Sequence, residues 1–151
     1  MVAVGKAAPG FALVDTDGQQ VELEDFRGKK VVLWFYPRDD TPGCTREACE
    51  FRDAKDDFDE AGAVIVGISP DGVESHQRFR AKYGLPLILL ADPEHQALEA
   101  YGVWKERVRD GKTSMGVERS TFLIDEEGIL IAANRQVQVD GHAAEMLAAI
   151  G

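Results

Sequence analysis

The sequence is short of several things, and each shortage closes off a class of protein. Only two cysteines occur in 151 residues, too few for the disulfide scaffolds that staple small secreted domains. Long apolar runs are missing. The longest, Val31–Tyr36 and Leu87–Ala91, fall far below the roughly 20 residues that a membrane helix needs. The first ten residues carry one cation, Lys6, and no apolar stretch of signal-peptide type. Positive charge is scarce as well: 17 Lys and Arg against 27 Asp and Glu leave a formal net charge of −10. Such a field repels phosphate backbones and anionic lipid surfaces, so neither nucleic-acid nor membrane binding is expected. No internal repeat, linker or low-complexity tract interrupts the chain.

What remains has the composition of a globular protein, 44% hydrophobic and 29% charged, and a length that suits one domain over residues 1–151. A cytoplasmic, reducing compartment is the default expectation. There a close cysteine pair is more often catalytic or metal-binding than structural. Cys44 and Cys49 are therefore the residues to follow.

Hydrophobic patterning places them. Phe11–Val14 and Val21–Leu23 flank Asp17-Gly18, which predicts an N-terminal β-hairpin. Val31–Tyr36 is continuously apolar, β-branched or aromatic, the pattern of a central strand buried on both faces, and Pro37 ends it. A helical stretch follows from about Pro42 to Ala61, then a strand over Val64–Ser69 and an amphipathic helix over Val73–Tyr83. After the apolar run Leu87–Leu90, Asp92 and Pro93 read as the N-cap and first residue of another helix. Thr121–Ile124 and Ile129–Ala133 flank Glu127-Gly128 as a second hairpin, and a last helix covers Ala143–Ile150. The alternation predicts an α/β domain, a central mixed β-sheet flanked by helices.

Thr41-Pro42-Gly43-Cys44 reads as a helix start, with Thr41 as N-cap, Pro42 at the first position and Cys44 in the first turn. Free N–H groups and the positive end of the helix dipole favour a thiolate there. At about 100° per residue, Cys44, Phe51 and Phe58 fall within roughly 40° of one another, so Cys44 is expected to face the core side, at the floor of a pocket. Cys49 lies about 140° around the helix, facing outward, with its Cα about 8.5 Å from that of Cys44. A disulfide tolerates no more than about 7 Å. Two cysteines on an intact helix at this spacing cannot be bonded; either they never pair or the helix unwinds locally.

Other readings of the pair stay open at this point. Two cytosolic cysteines can be inert core residues. A zinc site lacks a second cysteine pair, and His76, His95 and His142 do not recur at ligand spacing. A thioredoxin-type motif needs Cys-x-x-Cys, which is missing. A cysteine at a Pro-Gly helix start directly after a buried strand shifts the balance towards a reactive thiolate.

The segment Phe35-Tyr36-Pro37-Arg38-Asp39-Asp40-Thr41-Pro42-Gly43-Cys44-Thr45-Arg46-Glu47-Ala48-Cys49-Glu50-Phe51-Arg52-Asp53 closely resembles the active-site segment of the peroxiredoxins, and more narrowly of the bacterioferritin comigratory protein, or Q-type, group. The likeness continues through Tyr83-Gly84-Leu85-Pro86, Tyr101-Gly102-Val103-Trp104, Arg119-Ser120-Thr121-Phe122 and Gly141-His142-Ala143. The resemblance implies a thioredoxin-like fold and a thiol-dependent peroxidase acting on hydrogen peroxide and organic hydroperoxides. It makes Cys44 the peroxidatic cysteine, Thr41 and Pro37 the active-site threonine and proline, and Arg119 the active-site arginine. Cys49 matches the resolving cysteine that part of this group carries on the same helix. A thioredoxin-like reductant and a monomeric state are implied with it, and no cofactor or metal. The chain departs from the family mainly at Asn134–Val139, where relatives often show an aromatic residue and lysines.

Several residues carry a plain reading beside a functional one. Glu47 either supports Arg119 or is a solvated helix charge. Trp34 and Trp104 read as packing, His76 as solvated on a polar helix face, and His142 as lying near the start of the final helix. The run Asp53, Asp56, Asp57, Asp59 and Glu60 reads as a solvated acidic face. Two rivals to peroxide turnover remain: a disulfide oxidoreductase, which the missing Cys-x-x-Cys disfavours, and a peroxide sensor or holdase-like binding protein that uses Cys44 oxidation as a signal.

Overall fold

The structure, a computed structural model, describes residues 2–135 and 137–150. Nine strands and five α-helices alternate along the described chain. In order they are β1 (Ala12–Val14), β2 (Gln20–Glu22), β3 (Lys30–Phe35), α1 (Pro42–Asp53), α2 (Lys55–Glu60), β4 (Ala63–Ser69) and α3 (Val73–Tyr83). Then come β5 (Ile88–Ala91), α4 (Gln96–Ala100), β6 (Trp104–Arg109), β7 (Lys112–Val117), β8 (Ser120–Ile124), β9 (Leu130–Arg135) and α5 (His142–Ile150).

Seven strands form one mixed sheet in the order β2-β1-β5-β4-β3-β8-β9. The apolar run predicted as a central strand is β3. It pairs in parallel with β4 and antiparallel with β8. Its side chains alternate between two packed layers, as the period of a strand dictates. Val31, Leu33 and Phe35 point into a layer with Val66, Ile68, Leu98, Tyr101 and Phe122. Val32, Trp34 and Tyr36 point into the other, with Cys44, Phe51, Phe58, Phe79 and Met146 from α1, α2, α3 and α5. Close packing fixes residues here: a Cβ on Gly67 of β4 would lie 2.6 Å from the Trp34 ring.

Three expectations need adjusting. The helical stretch 42–61 is two helices, because Ala54 takes φ −97 and ψ 1 between α1 and α2. No proline or glycine marks that break. The helix expected at Asp92 begins at Gln96, behind His95 at φ 62, and Pro93 sits in a turn. The capping chemistry survives this shift, since the Asp92 carboxylate accepts the N–H groups of Gln96 (2.7 Å) and Leu98 (2.9 Å). Third, β6 and β7 form a separate hairpin around Asp110-Gly111 that the patterning did not anticipate. Both turn residues have positive φ, 52 and 75, as a tight hairpin turn demands. Among the described residues no helix is long and apolar enough to cross a membrane.

Candidate active site

The register of the sheet brings the site together. Phe35, the last residue of β3, pairs with Ser120, the first of β8. Arg119 therefore stands beside the loop that carries the chain from β3 into α1. That is how a residue 75 positions away from Cys44 reaches its sulfur.

Cys44 is the third residue of α1 and is 1% exposed, packed with Ala48 and Phe51 on the core side as the helical angles predict. Arg119 Nη2 donates to Cys44 Sγ across 3.2 Å, and Nη1 donates to Glu47 Oε1 across 2.6 Å. A permanently charged planar fork thus bridges the sulfur and a carboxylate one turn further along the same helix. Gly43 makes room for it: a Cβ there would lie 3.3 Å from Nη2.

Glu47, for which two readings stood open, is the buried partner of Arg119, with only 1% exposure. Burial pushes its carboxyl up to about 7 from an ordinary 4.5, against the opposing pull of the guanidinium. Among the described residues its buried Oε2 has no hydrogen-bond partner. Burial opposes the charge on Arg119, but Glu47 and Cys44 outweigh it and hold the guanidinium above its ordinary value.

Thr41 stands at the N-cap position, with extended φ −98 and ψ 155 and Pro42 following. Its capping role differs from expectation. The hydroxyl donates to the Arg38 carbonyl (2.9 Å) and accepts no helix N–H, while the Thr41 carbonyl takes the Thr45 N–H (2.8 Å). The hydroxyl is thereby tied to the preceding loop, and among the described residues it makes no hydrogen bond to Sγ. Pro37 is half-buried in that loop. Cys49 is half-buried on the same unbroken α1, and both cysteines are free thiols. The structure therefore places the pair as the spacing requires of an unbonded pair.

Two histidines are positioned otherwise than as solvated groups. His142, the first residue of α5, is 2% exposed; its Nε2 lies 2.7 Å from the Thr121 hydroxyl and its ring meets Phe51 edge-on. Burial, aided by Arg119 and opposed by Glu145, holds it below the usual histidine value. His76, expected to be solvated, is fully buried. Its Nδ1 lies 2.6 Å from Asp39 in the loop before α1. A signal for it was present, since His76, Phe79 and Tyr83 share one helical stripe. Asp53, Asp56, Asp57, Asp59 and Glu60 are exposed, as expected, and Trp34 is core packing. In the segment that departs from the family, Gln136 lies outside the described residues; Arg135 reaches back to the carbonyls of Tyr101 and Gly102.

The chain matches known proteins over most of its length. Residues 4–133 match the AhpC/TSA family. The chain is 51% identical over 146 residues to peroxiredoxin Bcp of Bacillus subtilis, covering 97% of this chain and 93% of that protein. It is 48% identical over 124 residues to peroxiredoxin Bcp of Escherichia coli, covering 82% and 80%. Among solved structures, peroxiredoxin Q of Xanthomonas campestris superposes with a TM-score of 0.89 at 43% identity, over 93% of this chain and 89% of that one. These likenesses bear out the thioredoxin-like fold that the sequence implied. The chain belongs to the AhpC/TSA family, as a peroxiredoxin of the bacterioferritin comigratory protein or Q type, and is accordingly a peroxidase.

Proposed function

We propose that the chain works as a single-domain, monomeric peroxidase of the cytoplasm, in which Cys44 reduces hydrogen peroxide and small organic hydroperoxides and Cys49 resolves the product. A Xanthomonas campestris relative, with a TM-score of 0.89 and 42% identity, is described by its alkyl peroxide reduction activity, which supports organic hydroperoxides as substrates here. The observation that carries the reading is the 3.2 Å contact from Arg119 to Cys44 Sγ at a helix N-terminus.

In the first step the Cys44 thiolate attacks the terminal peroxide oxygen. The S–O bond forms as the O–O bond breaks, and the departing oxygen leaves as water or alcohol after taking up a proton. Arg119 stands where negative charge spreads along the S–O–O line, so it favours the transition state over the bound peroxide. Thr41, held by the Arg38 carbonyl, keeps its oxygen lone pairs for a peroxide hydroxyl. Pro37 shapes the loop and screens the sulfur from water. Glu47 holds the guanidinium in place.

In the second step Cys49 attacks the Cys44 sulfenic acid. The disulfide forms and water leaves, after the first turns of α1 unwind to close a gap of about 8.5 Å between Cα atoms. Pro42 and Gly43 are weak helix residues that ease this opening. A thioredoxin-like protein dithiol then exchanges with the disulfide, becoming oxidised itself and restoring both thiols. The experiment is peptide mapping after one equivalent of hydrogen peroxide. A Cys44–Cys49 linkage is expected; a persistent Cys44 sulfenic or sulfinic acid without it would remove Cys49 from the mechanism. Steady turnover with thioredoxin and its reductase is expected too, whereas a sensor would be oxidised once and stall.

A further inference from the structure

The loop between β3 and α1 contains two consecutive aspartates, and α3 holds both. The outer one, Asp40, accepts from Lys82 Nζ (2.8 Å) and the Tyr83 hydroxyl (2.5 Å) in an exposed setting. The inner one, Asp39, is 8% exposed and far more heavily bonded. Its Oδ1 accepts from the Tyr36 hydroxyl (2.6 Å) and its Oδ2 from the Ser75 hydroxyl (2.8 Å), and His76 Nδ1 lies 2.6 Å from the same Oδ2. Its backbone N–H donates to Asp71 Oδ2 (2.7 Å), which also takes the Ser69 hydroxyl (2.8 Å).

The other ring nitrogen of His76 lies 3.0 Å from the carbonyl oxygen of Leu90 on β5. Both ring nitrogens of His76 are thus engaged, one by the Asp39 carboxylate and one by a backbone carbonyl. A buried imidazole ring therefore bridges a buried carboxyl group and the central sheet. The ligand atoms of Asp39, Asp71 and His76 lie within 4.8 Å of one another, a spacing suited to a cation. Each is already engaged by its neighbours and by Ser69, Ser75 and Tyr36, so the cluster serves as a tie between elements. It joins the end of β3, the start of α3 and β5 at one point.

None of these atoms hydrogen-bonds the Cys44 sulfur, but the point they fix is next to the site. Arg38, whose carbonyl takes the Thr41 hydroxyl, precedes Asp39. Asp40, at φ 58 in the left-handed region, follows it and leads into Thr41. A shift of Asp39 passes to both supports of Thr41 and to the first turn of α1. We propose that His76 is a positioning residue of the peroxidase site, acting through Asp39 to hold the Tyr36–Thr41 loop in the arrangement in which Cys44 meets the peroxide. This rests on Cys44 being the reacting thiol. The anchor also gives α1 a fixed end from which to open and to which it recloses.

Stopped-flow tryptophan fluorescence separates the steps, since Trp34 packs 5.0 Å from Phe51 of α1 and 5.6 Å from Tyr36. In His76→Leu the peroxide-dependent phase slows by about tenfold or more, the scale of small misplacements at a reacting centre. The later, peroxide-independent phase of disulfide formation is not slowed. His76→Asn, whose amide N–H replaces Nδ1 towards Asp39, recovers most of the first-phase rate. Unchanged first-phase rates in His76→Leu, or equal loss in both variants, would overturn the proposal while leaving the wild-type reading intact. A wild-type protein without a peroxide-dependent phase would instead remove the assignment of Cys44. Should His76→Leu not fold, His76→Asn and His76→Gln decide: the Asn variant, whose amide stands in for Nδ1 towards Asp39, is expected to react faster in the first phase than the Gln variant, and equal first-phase rates would overturn the proposal.

Discussion

Arg119 Nη2 lies 3.2 Å from Cys44 Sγ although 75 residues separate them. The contact exists because β8 pairs with β3 and the arginine stands just before β8, where the chain leaves β3 for the cysteine helix. The guanidinium also holds Glu47, so its two arms have different jobs. Arg119→Met removes both and should cut the second-order rate of Cys44 with hydrogen peroxide by about 10²–10³. Arg119→Lys keeps a charge but not the fork, and is expected to recover only part of that loss. Competition for peroxide against a reference peroxidase gives the rates, with circular dichroism as the check that the fold is kept.

The cysteine pair makes a second, sharper demand. Cys49→Ser should consume one equivalent of peroxide and stop, leaving a Cys44 sulfenic acid that dimedone traps. Cys44→Ser should consume none. Peroxide turnover by Cys49→Ser at the wild-type rate with a thioredoxin system would show that reductant reaches the sulfenic acid directly, without an internal disulfide.

How much of this was legible beforehand depended on the range of each signal. β3 was readable because six apolar residues in a row have few other homes. The inward face of Cys44 followed from helical angles to Phe51 and Phe58. The second hairpin and α5 carried turn dipeptides and apolar periodicity. By contrast β6 and β7 were missed although Asp110-Gly111 was there, because the residues around it are charged and do not alternate. Ala54 gave no sign of a helix break. His76 was misjudged because a buried polar ring is only tolerable beside a partner, and its partner Asp39 is 37 residues away. Glu47 could not be decided without the sheet register that delivers Arg119. Local rules fix elements; the site is assembled by strand pairing.

Glu47 carries a pH signature with a definite sign. Its folded value is raised from 4.5 to about 7 by burial, so between those values the native state binds more protons than the unfolded chain. Stability attributable to this group is full below about 4.5 and is lost as pH rises through about 7, by on the order of a few kcal/mol. His142 is depressed by burial and acts oppositely, losing stability as pH falls. The difference between wild type and Glu47→Gln isolates the first effect. Urea midpoints from pH 5 to 8 should show wild type weakening relative to Glu47→Gln as pH rises; parallel curves would remove Glu47 as the source.

Gly43 offers the most discriminating substitution, because the helix and the site want different residues there. Within a helix, alanine in place of glycine stabilises by about 0.5–1 kcal/mol through reduced freedom of the unfolded chain. The same Cβ would lie 3.3 Å from Arg119 Nη2, closer than ordinary contact, so the guanidinium must give way. Its bond to Cys44 Sγ, already at 3.2 Å, is the contact that lengthens, since Glu47 holds the other arm at 2.6 Å. Gly43→Ala should therefore raise the thermal midpoint while slowing the reaction of Cys44 with peroxide severalfold. A stiffer first turn also resists the unwinding that Cys49 needs, so disulfide formation slows and Cys44 is over-oxidised at lower peroxide. Mass spectrometry of the sulfinic acid across a peroxide series measures the last effect. A variant that is more stable yet equally fast in both steps would mean that neither Arg119 contact nor helix opening limits this enzyme.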